Sequence, residues 1–215
     1  MPASAFFLLS MPPRRTYNTF MIRLFTALCK SFLKNLSEKV LFDNETSDFC
    51  FRSVDCSSCG AIGKFDSHGG YSRWLLAHED GENIAFRIWV LRLKCASCEA
   101  THAILPDVLV PYSPYSLSFV LTVLIAYFER ETTVEKICEK YGIAVSTLYR
   151  WKKLLAKHKD LMIGILKSKI TPALEFLRNL FKSEKISVSL SDFFHYYLFS
   201  FMQCRSAPAT RSQSP

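Results

Sequence analysis

Four cysteines in two Cys-x-x-Cys pairs constrain this sequence more than any other feature. Cys56 and Cys59 form the first pair, and Cys95 and Cys98 follow after 35 intervening residues. Two residues between cysteines allow a tight turn to direct both sulfurs at one ion, and two such turns complete a tetrahedral shell of four thiolates. A closed shell leaves no coordination position for a substrate. The spacing therefore predicts a structural Zn²⁺ site and a binding module rather than a metalloenzyme.

Other ligands and another metal remain open at this point. Paired Cys-x-x-Cys turns also hold iron in rubredoxin-like sites, so the spacing does not separate zinc from iron. His68, His78 or His102 could replace one displaced cysteine, and Cys50 lies six residues before the first pair. For each histidine we expect an ordinary polar contact instead.

Composition limits the class of protein and its partners. The chain has 215 residues, 49% of them hydrophobic, and a formal net charge of +8 with a pI near 9.1. It can therefore build one or two cores, and its basic surface suits a polyanionic partner. The other four cysteines follow no disulfide spacing, which favours a reducing compartment: Cys29, Cys50, Cys138 and Cys204. The longest apolar run, 119–128, is too short for a membrane span of ~20 residues.

The chain divides into five segments that together predict an α+β fold. They are an uncertain leader at 1–48, a zinc ribbon at 49–112, a helix-turn-helix unit at 113–158, a helical segment at 159–204 and a disordered tail at 205–215. In the leader, apolar residues at helical spacing predict an amphipathic helix over 20–36, and Met11 or Met21 is an alternative start to Met1.

The zinc segment contains a predicted β-hairpin between its cysteine pairs. Two strand-like runs, 71–77 and 84–93, flank an Asp80-Gly81 turn signal. Alternate residues of the second run are apolar and share one face: Ile84, Phe86, Ile88 and Val90. A third run, 103–110, contains Pro106, which favours an edge strand or a break in the strand.

Residues 113–158 predict three helices. Ser113 and Pro114 are a start signal for a helix that ends near Glu129. Thr132 and Glu135 fit a capping box that opens a second helix, which ends near Tyr141. A third helix is expected over 145–157.

The second and third helices fit a helix-turn-helix. Gly142 supplies a left-handed turn residue, and Cys138 is the small residue where the helices cross. The positions that must be apolar hold Ile137, Tyr141, Ile143, Leu148 and Trp151. A plain helical hairpin is the alternative interpretation.

Charge favours a DNA-binding role for the helix that begins at Val145. Between 145 and 159 there are five basic residues and no acidic one, as phosphate contacts require. The predicted DNA-contacting residues are Val145, Ser146, Tyr149, Arg150, Lys152 and Lys153. Arg150 is the best candidate for a guanine contact, because its fork matches O6 and N7. Lysines near the C-terminus of this helix could instead interact favourably with the helix dipole, which would account for Lys157 and Lys159.

The C-terminal helical segment offers a second hypothesis for the function. Thr171 and Pro172 predict a helix start, and Ser191 is expected to cap a helix rich in Phe and Tyr. Such a helix could dimerise or dock a separate catalytic protein, which would make the chain an interaction or assembly subunit.

Two motifs together resemble a known group of proteins. Cys-x-x-Cys-Gly and Cys-x-x-Cys-x-x-Thr-His, followed by Ser-Thr-Leu-Tyr-Arg-Trp-Lys at 146–152, are similar to the zinc-ribbon and helix-turn-helix front ends of bacterial insertion-sequence transposases. The likeness covers about residues 49–203. It implies a protein of mobile elements that binds duplex DNA, in a bacterial cytoplasm near the nucleoid, with a homodimer or a transposase as possible partner.

The sequence departs from that group in two respects. Ala144 stands where a serine or similar residue usually caps the recognition helix, and a lost cap costs about 1 kcal/mol. A transposase of this kind also needs a nuclease domain with three separated carboxylates and two metal ions. The 57 residues that follow the helix-turn-helix unit, 159–215, are too few for such a domain. We therefore expect a DNA-binding protein that is not an enzyme, that does not bind a membrane and that has no small-molecule substrate.

Overall fold

The computed structural model describes residues 21–24, 38–47, 49–130, 132–166, 172–182, 185–197 and 199–204. These residues form an α+β fold, which confirms the predicted class. The strands are β1 (Met21–Leu24), β2 (Phe65–Glu79), β3 (Glu82–Cys95) and β4 (Thr101–Pro106). The helices are α1 (Glu38–Ser47), α2 (Leu117–Glu129), α3 (Val134–Tyr141), α4 (Val145–Leu166), α5 (Ala173–Lys182) and α6 (Ile186–Tyr197), with a short 3₁₀ turn at Phe51–Ser53.

The predicted hairpin is confirmed and is longer than expected. β2 and β3 pair antiparallel from Phe65 opposite Cys95 to Glu79 opposite Glu82. The two-residue loop, Asp80-Gly81, has φ of 51° and 86°. Positive φ at both central residues is typical of the turn whose twist matches a hairpin, and glycine adopts it without strain.

The sheet contains one strand where the sequence predicts a helix. Strand order is β1-β4-β3-β2, with β1 parallel to β4 and the other pairs antiparallel. The amphipathic helix predicted over 20–36 is therefore wrong for Met21–Leu24, and the rest of that prediction lies outside the described residues. β1 and α1 contribute Met21 and Phe42 to the main hydrophobic core, although both fall in the predicted leader.

Each face of the sheet carries its own hydrophobic core. Ile88, Val90 and Leu75 point to one face and join the large core beneath the helices. Leu93, Cys95 and their cross-strand neighbours point to the other face. They form a smaller core beside the cysteine pairs: Ile22, Cys56, Phe65, Leu93, Cys95 and Ile104. The pairing of the strands therefore separates a helical layer from a lobe that contains the cysteine pairs.

Two helix starts differ from those predicted. α2 begins after Ser116, whose hydroxyl accepts from the Phe119 amide at 3.0 Å, three residues beyond the expected Ser113. α3 begins after Thr133, which accepts from the Lys136 amide, and not after Thr132. In both cases two hydroxyl residues lie close together, and the residue whose backbone is extended at the helix entry acts as the cap.

Two boundaries nearer the C-terminus also depart from the expectation. α4 continues to Leu166, nine residues past its predicted end, because Met162 and Ile163 are buried in the main core. Ser191 lies inside α6 and does not cap it. The start of α5 after Pro172 agrees with the prediction. The predicted disordered tail at 205–215 lies outside the described residues.

α2 is the central helix of the helical layer. It contacts β2, α3, α4 and α5. Four neighbouring aromatic rings pack edge-on or stacked around Phe119 of this helix: His78, Tyr115, Tyr141 and Trp151. The α3–α4 pair is thus anchored on the same ring cluster that contacts the hairpin. No helix in the described residues is long and apolar enough to cross a membrane.

Candidate metal centre and candidate nucleic-acid interface

The structure brings the four predicted cysteines together. The sulfurs of Cys56, Cys59, Cys95 and Cys98 all lie within 4.8 Å of one another. Cys56 Sγ is 3.6 Å from Cys98 Sγ, and Cys59 Sγ is 3.7 Å from Cys95 Sγ. Zinc–sulfur bonds of ~2.3 Å in a regular tetrahedron require sulfurs roughly 3.8 Å apart. The predicted clustering is therefore confirmed, and its spacing fits a four-coordinate metal ion.

The first cysteine pair lies on a tight turn closed by two backbone hydrogen bonds. The Gly60 amide donates to the Cys56 carbonyl at 2.7 Å, and the Cys56 amide donates to the Ala61 carbonyl at 2.9 Å. Gly60 has a φ of 75°, which a glycine adopts without a steric penalty.

The second pair repeats the same hydrogen bonds. The Glu99 amide donates to the Cys95 carbonyl, and the Cys95 amide donates to the Ala100 carbonyl, each at 2.9 Å. Glu99 occupies the position of the glycine, with a φ of 60°. Because only the first turn has glycine there, the second turn carries some backbone strain.

Backbone contacts fix the two turns relative to each other. The Ala96 amide of the second turn donates to the Lys64 carbonyl, which follows the first turn, at 2.9 Å. Within the first segment, the Gly63 amide donates to the Val54 carbonyl at 2.9 Å. A Cβ on Gly63 would lie 2.5 Å from the Arg52 carbonyl oxygen, so only glycine fits. Cys95 is the last residue of β3, so the hairpin itself carries the second turn.

The sulfurs differ in their tendency to ionise. Burial opposes ionisation of Cys95, but hydrogen bonds from the backbone amides of Cys98 and Ser97 lower its pKa to about 7. At Cys98 a hydrogen bond from the Ala100 amide favours the thiolate, but burial and the neighbouring sulfurs raise its pKa to about 12. Burial also raises the pKa of Cys56. Several thiolates at this spacing therefore need a cation to balance their charge.

His102 contacts the cluster in a way that the sequence did not predict. It is fully buried, its Nε2 lies 3.3 Å from Cys56 Sγ, and its Nδ1 lies 3.4 Å from Ser57 Oγ. The ring also packs edge-on against Phe65. His102 is thus placed to donate a hydrogen bond to a sulfur of the cluster while the four cysteines supply the shell.

The remaining candidate ligands lie apart from the cluster. His68 is exposed on β2, and His78 Nδ1 lies 2.9 Å from Asn83 Oδ1 near the hairpin turn. Cys50 is exposed and is not among the clustered sulfurs. Cys138 is buried between α3 and its neighbours, as expected for the residue at the helix crossing.

α3 and α4 are joined by a three-residue turn built on Gly142. This residue has a φ of 60°, and its amide and the Ile143 amide return to carbonyls in the last turn of α3. The predicted apolar positions and the small residue at the crossing are all buried: Ile137, Cys138, Tyr141, Ile143, Leu148 and Trp151. Two short-linked helices with a shared core are therefore present where the sequence predicted them.

The outward face of α4 presents most of the predicted DNA-contacting residues. Leu148, Trp151 and Leu155 of this helix are buried. The exposed residues are Val145, Ser146, Tyr149, Arg150 and Lys153. This division follows from the 3.6-residue period of a helix with one apolar stripe. Lys157 continues the exposed stripe toward the C-terminus.

Lys152 is placed differently from the other predicted contacts. Its side chain is half-buried, and its Nζ donates to the Tyr127 hydroxyl at 2.8 Å. The same ammonium lies 5.1 Å from the centre of the Tyr127 ring and 5.8 Å from that of Tyr149. Lys152 thus holds Tyr149 beside α2 and does not point outward with Arg150.

The length of α4 removes the dipole explanation for its lysines. Lys157 and Lys159 lie at least seven residues before the helix end at Leu166, and the dipole effect is confined to the last turn. Lys159 forms an ion pair with Asp160 at 3.8 Å. Lys157 is therefore too far from the C-terminus of α4 to interact with the helix dipole, and its positive charge belongs to the exposed face.

Part of the chain matches the model of one protein family. Residues 56–151 match the model of a family described as a domain of unknown function (DUF6431). Neither the curated proteins nor the solved structures contain a match to this chain. The matched segment begins at the first cysteine of the cluster and ends at Trp151 in α4, so it contains both the cysteine cluster and the helix pair. The resemblance to transposases stays a hypothesis.

Proposed function

We propose that this protein binds duplex DNA by placing the N-terminal half of α4 in the major groove, as the second helix of a helix-turn-helix. The observation that carries the proposal is the division of α4 into a buried apolar stripe and an exposed stripe that begins with short side chains and continues with basic ones. A groove-reading helix needs cations for phosphates and small or forked side chains for base edges.

The exposed residues suggest distinct roles. Arg150 is suited to guanine, because its two parallel donors match O6 and N7. Ser146 and Lys153 are suited to phosphate oxygens, and Val145 to a thymine methyl group. Tyr149 reaches the same surface but is held by Lys152, so we assign Lys152 a positioning role.

We propose Zn²⁺ as the metal of the four-cysteine centre. Zinc has no geometric preference beyond the tetrahedron that the sulfurs already approximate, and all-thiolate shells are typical of structural zinc. Its function would be architectural, because it would cross-link two turns that are otherwise held together by a small core and few backbone hydrogen bonds. Iron remains the alternative, and metal analysis of the purified protein separates the two.

The features of the chain favour a binding protein related to transposase DNA-recognition regions over an assembly subunit. Phe193 and Phe201 from the aromatic C-terminal segment are buried in the chain's own core, around the imidazole of His158. Tyr196 is a large aromatic residue of α6 that stays exposed. Much of that segment is thus already used for packing. We expect no catalytic activity from the chain itself.

The test is binding to duplex DNA by the full-length protein with its metal. Sequences selected from a random duplex pool are compared with scrambled ones by fluorescence anisotropy at several salt concentrations. Affinity should fall steeply with salt. Arg150→Ala should reduce the preference for the selected sequence by roughly ten-fold or more.

Lys39→Ala is the control, because it also removes one positive charge, from the partly exposed Lys39 of α1, which pairs with Asp43. It should leave both affinity and preference nearly unchanged. Absence of binding to any duplex at low salt would overturn the proposal, and so would an Arg150→Ala protein with unchanged preference.

A further inference from the structure

Two exposed tryptophans occupy one face of the hairpin, on the same side of the sheet as the cysteine cluster. Trp74 on β2 is 55% exposed and Trp89 on β3 is 57% exposed. The register pairs Trp74 with Arg87 and Ser72 with Trp89, so the two indoles are diagonal neighbours on either side of Arg87. We call Trp74, Arg87 and Trp89 the tryptophan face.

The strand pairing explains why this face is uncovered by the described residues. β4 pairs with β3 only between Arg92 and Lys94, so the small core of the cysteine-bearing lobe ends near Leu91. The helices pack on the opposite face, against Ile88 and Val90. Beyond Leu91 the hairpin therefore has one face packed and one face open, while the outer edge of β2 is hydrogen-bonded at Leu76 to Pro114 and Ser116.

Small residues lie beside the indoles, between the partly buried Leu76 and Leu91 at the two ends of this face. An ideal Cβ on Gly70 would lie 2.6 Å from Trp89 Nε1, so the indole extends across β2 at a position that has no side chain. Ser72 and Ala85 share this face and are exposed. The flat surfaces of the rings thus have little around them that would exclude a planar ligand.

The charge of the face is positive. Arg87 is exposed, and among the described residues it forms no ion pair. The facing stretches of the two strands, 70–76 and 85–91, contain no acidic residue. A ligand with planar rings and negative charge would therefore meet complementary groups.

The size of the face argues against a protein partner as its occupant. A tryptophan side chain presents at most about 250 Å², so two half-exposed indoles offer roughly 280 Å². A stable protein interface needs about 800 Å² from each partner. Unpaired bases need only one ring surface each, and diagonal strand neighbours are about 7–8 Å apart, which leaves room for a base on each indole.

We infer that the tryptophan face binds single-stranded nucleic acid, with bases stacked on Trp74 and Trp89 and a phosphate held by Arg87. Stacking on aromatic rings with a nearby cation is the common mode of binding to unpaired strands. This surface is separate from the α4 face proposed to bind duplex DNA, and it does not depend on that proposal.

The experiment measures binding of a fluorescent oligo(dT) and of a duplex of the same length to the full-length, metal-loaded protein. Trp74→Ala/Trp89→Ala should weaken oligo(dT) binding by about ten-fold or more, and duplex binding by less than about two-fold. Arg87→Ala should weaken oligo(dT) binding and reduce its dependence on salt. Tyr196→Ala, which removes a 73% exposed ring from α6, should have no effect.

Intrinsic fluorescence gives an independent readout, because the third tryptophan, Trp151, is buried. Oligo(dT) should quench the wild-type emission but not that of the double variant. The inference is overturned if wild-type protein does not bind oligo(dT), or if the double variant binds it unchanged. Equal losses of oligo(dT) and duplex binding would also overturn it. Conversion of a wild-type dimer into a monomer by the double variant, seen in light scattering, would assign the face to self-association instead.

Discussion

The side-chain amide of Asn83 donates a 2.7 Å hydrogen bond to the main-chain carbonyl of Lys140 and so joins the hairpin tip to the last turn of α3. The other end of the same amide pairs with His78, whose ring packs edge-on against Tyr141 at 4.9 Å. Because β3 also carries Cys95, the cysteine cluster and the helix pair are connected through one continuous strand. This contact therefore helps to hold α3 against the hairpin.

Asn83→Ala should lower the free energy of unfolding by about 1 kcal/mol, since it removes two solvent-exposed hydrogen bonds, to the Lys140 carbonyl and with His78. Denaturant unfolding measures the change. Glu82→Ala is the control, because Glu82 is an exposed neighbour in the same turn. Equal effects of the two substitutions would show that the link between hairpin and helix contributes nothing.

Removal of one sulfur of the cluster should abolish metal binding. Cys59→Ser should lose the bound metal and unfold the small lobe, because that lobe has few buried residues besides the cysteines themselves. Cys50→Ser is the matched control, since this exposed cysteine lies outside the cluster and should retain one metal per chain. Elemental analysis and circular dichroism with and without a chelator provide the measurement. Equal metal content in both variants would contradict the assigned ligand set.

His102→Ala should weaken metal binding without changing the stoichiometry. The imidazole beside Cys56 Sγ orients and partly neutralises that sulfur, and loss of such a partner typically lowers metal affinity by roughly 10–100-fold. Competition with a chromogenic chelator measures the affinity. If His102→Ala leaves the metal affinity unchanged, His102 is a packing residue. If the substitution removes the metal altogether, His102 is a ligand.

The contrast between the cysteines and His102 shows what a sequence can reveal here. The cysteine pairs are local signals, because each turn is made by adjacent residues. The contact of His102 with the sulfur depends on the pairing of Leu93 with His102 across β3 and β4, which places the imidazole on the same face as Cys95. No local pattern encodes that register, so the sequence predicts for His102 an ordinary polar contact, with the role of a substitute ligand as the alternative.

The same reasoning explains the error at β1. Met21–Leu24 is four residues long and becomes a strand because it pairs in parallel with β4, whereas its apolar spacing also fits a helix. For so short a segment, tertiary pairing decides between the two. The helices α3 and α4 were predictable because their apolar period, their turn glycine and their burial all agree. The tryptophan face was missed because an exposed aromatic residue on a strand has no signal of its own.

Glycine-to-alanine substitutions in the helical layer should have opposite effects at two positions. Neither Gly142 nor Gly164 has an atom within 4 Å of an added Cβ, so steric clashes do not determine the effect of either substitution on stability. Gly142 has a φ of 60°, where a side chain costs about 1–2 kcal/mol. Gly164 lies within α4, where alanine is favoured by about 1 kcal/mol. Thermal unfolding should therefore show a lower Tm for Gly142→Ala and a higher Tm for Gly164→Ala. A higher Tm for Gly142→Ala would contradict the left-handed turn, and a lower Tm for Gly164→Ala would contradict the helical assignment of that glycine.

The imidazole of His158 should make the stability of the helical layer sensitive to acid. It is 2% exposed and packed against three phenylalanine rings of the C-terminal segment, and its Nδ1 accepts a 2.9 Å hydrogen bond from the Met202 amide. Burial, assisted by the nearby charge of Lys157, lowers the pKa of His158 to about 4.

The folded protein therefore keeps this group neutral, while the unfolded chain protonates it near pH 6.5. Its contribution is fully present above about pH 6.5 and is lost as the pH falls toward about 4, by an amount on the order of 3 kcal/mol. His158→Gln retains an acceptor oxygen and does not titrate. Unfolding free energies measured from pH 7 to pH 4 should fall more steeply for the wild type than for His158→Gln. Both proteins contain the same metal centre, so any acid sensitivity of that centre cancels in the comparison. Parallel curves for the two proteins would show that His158 is not held in its neutral form by the fold.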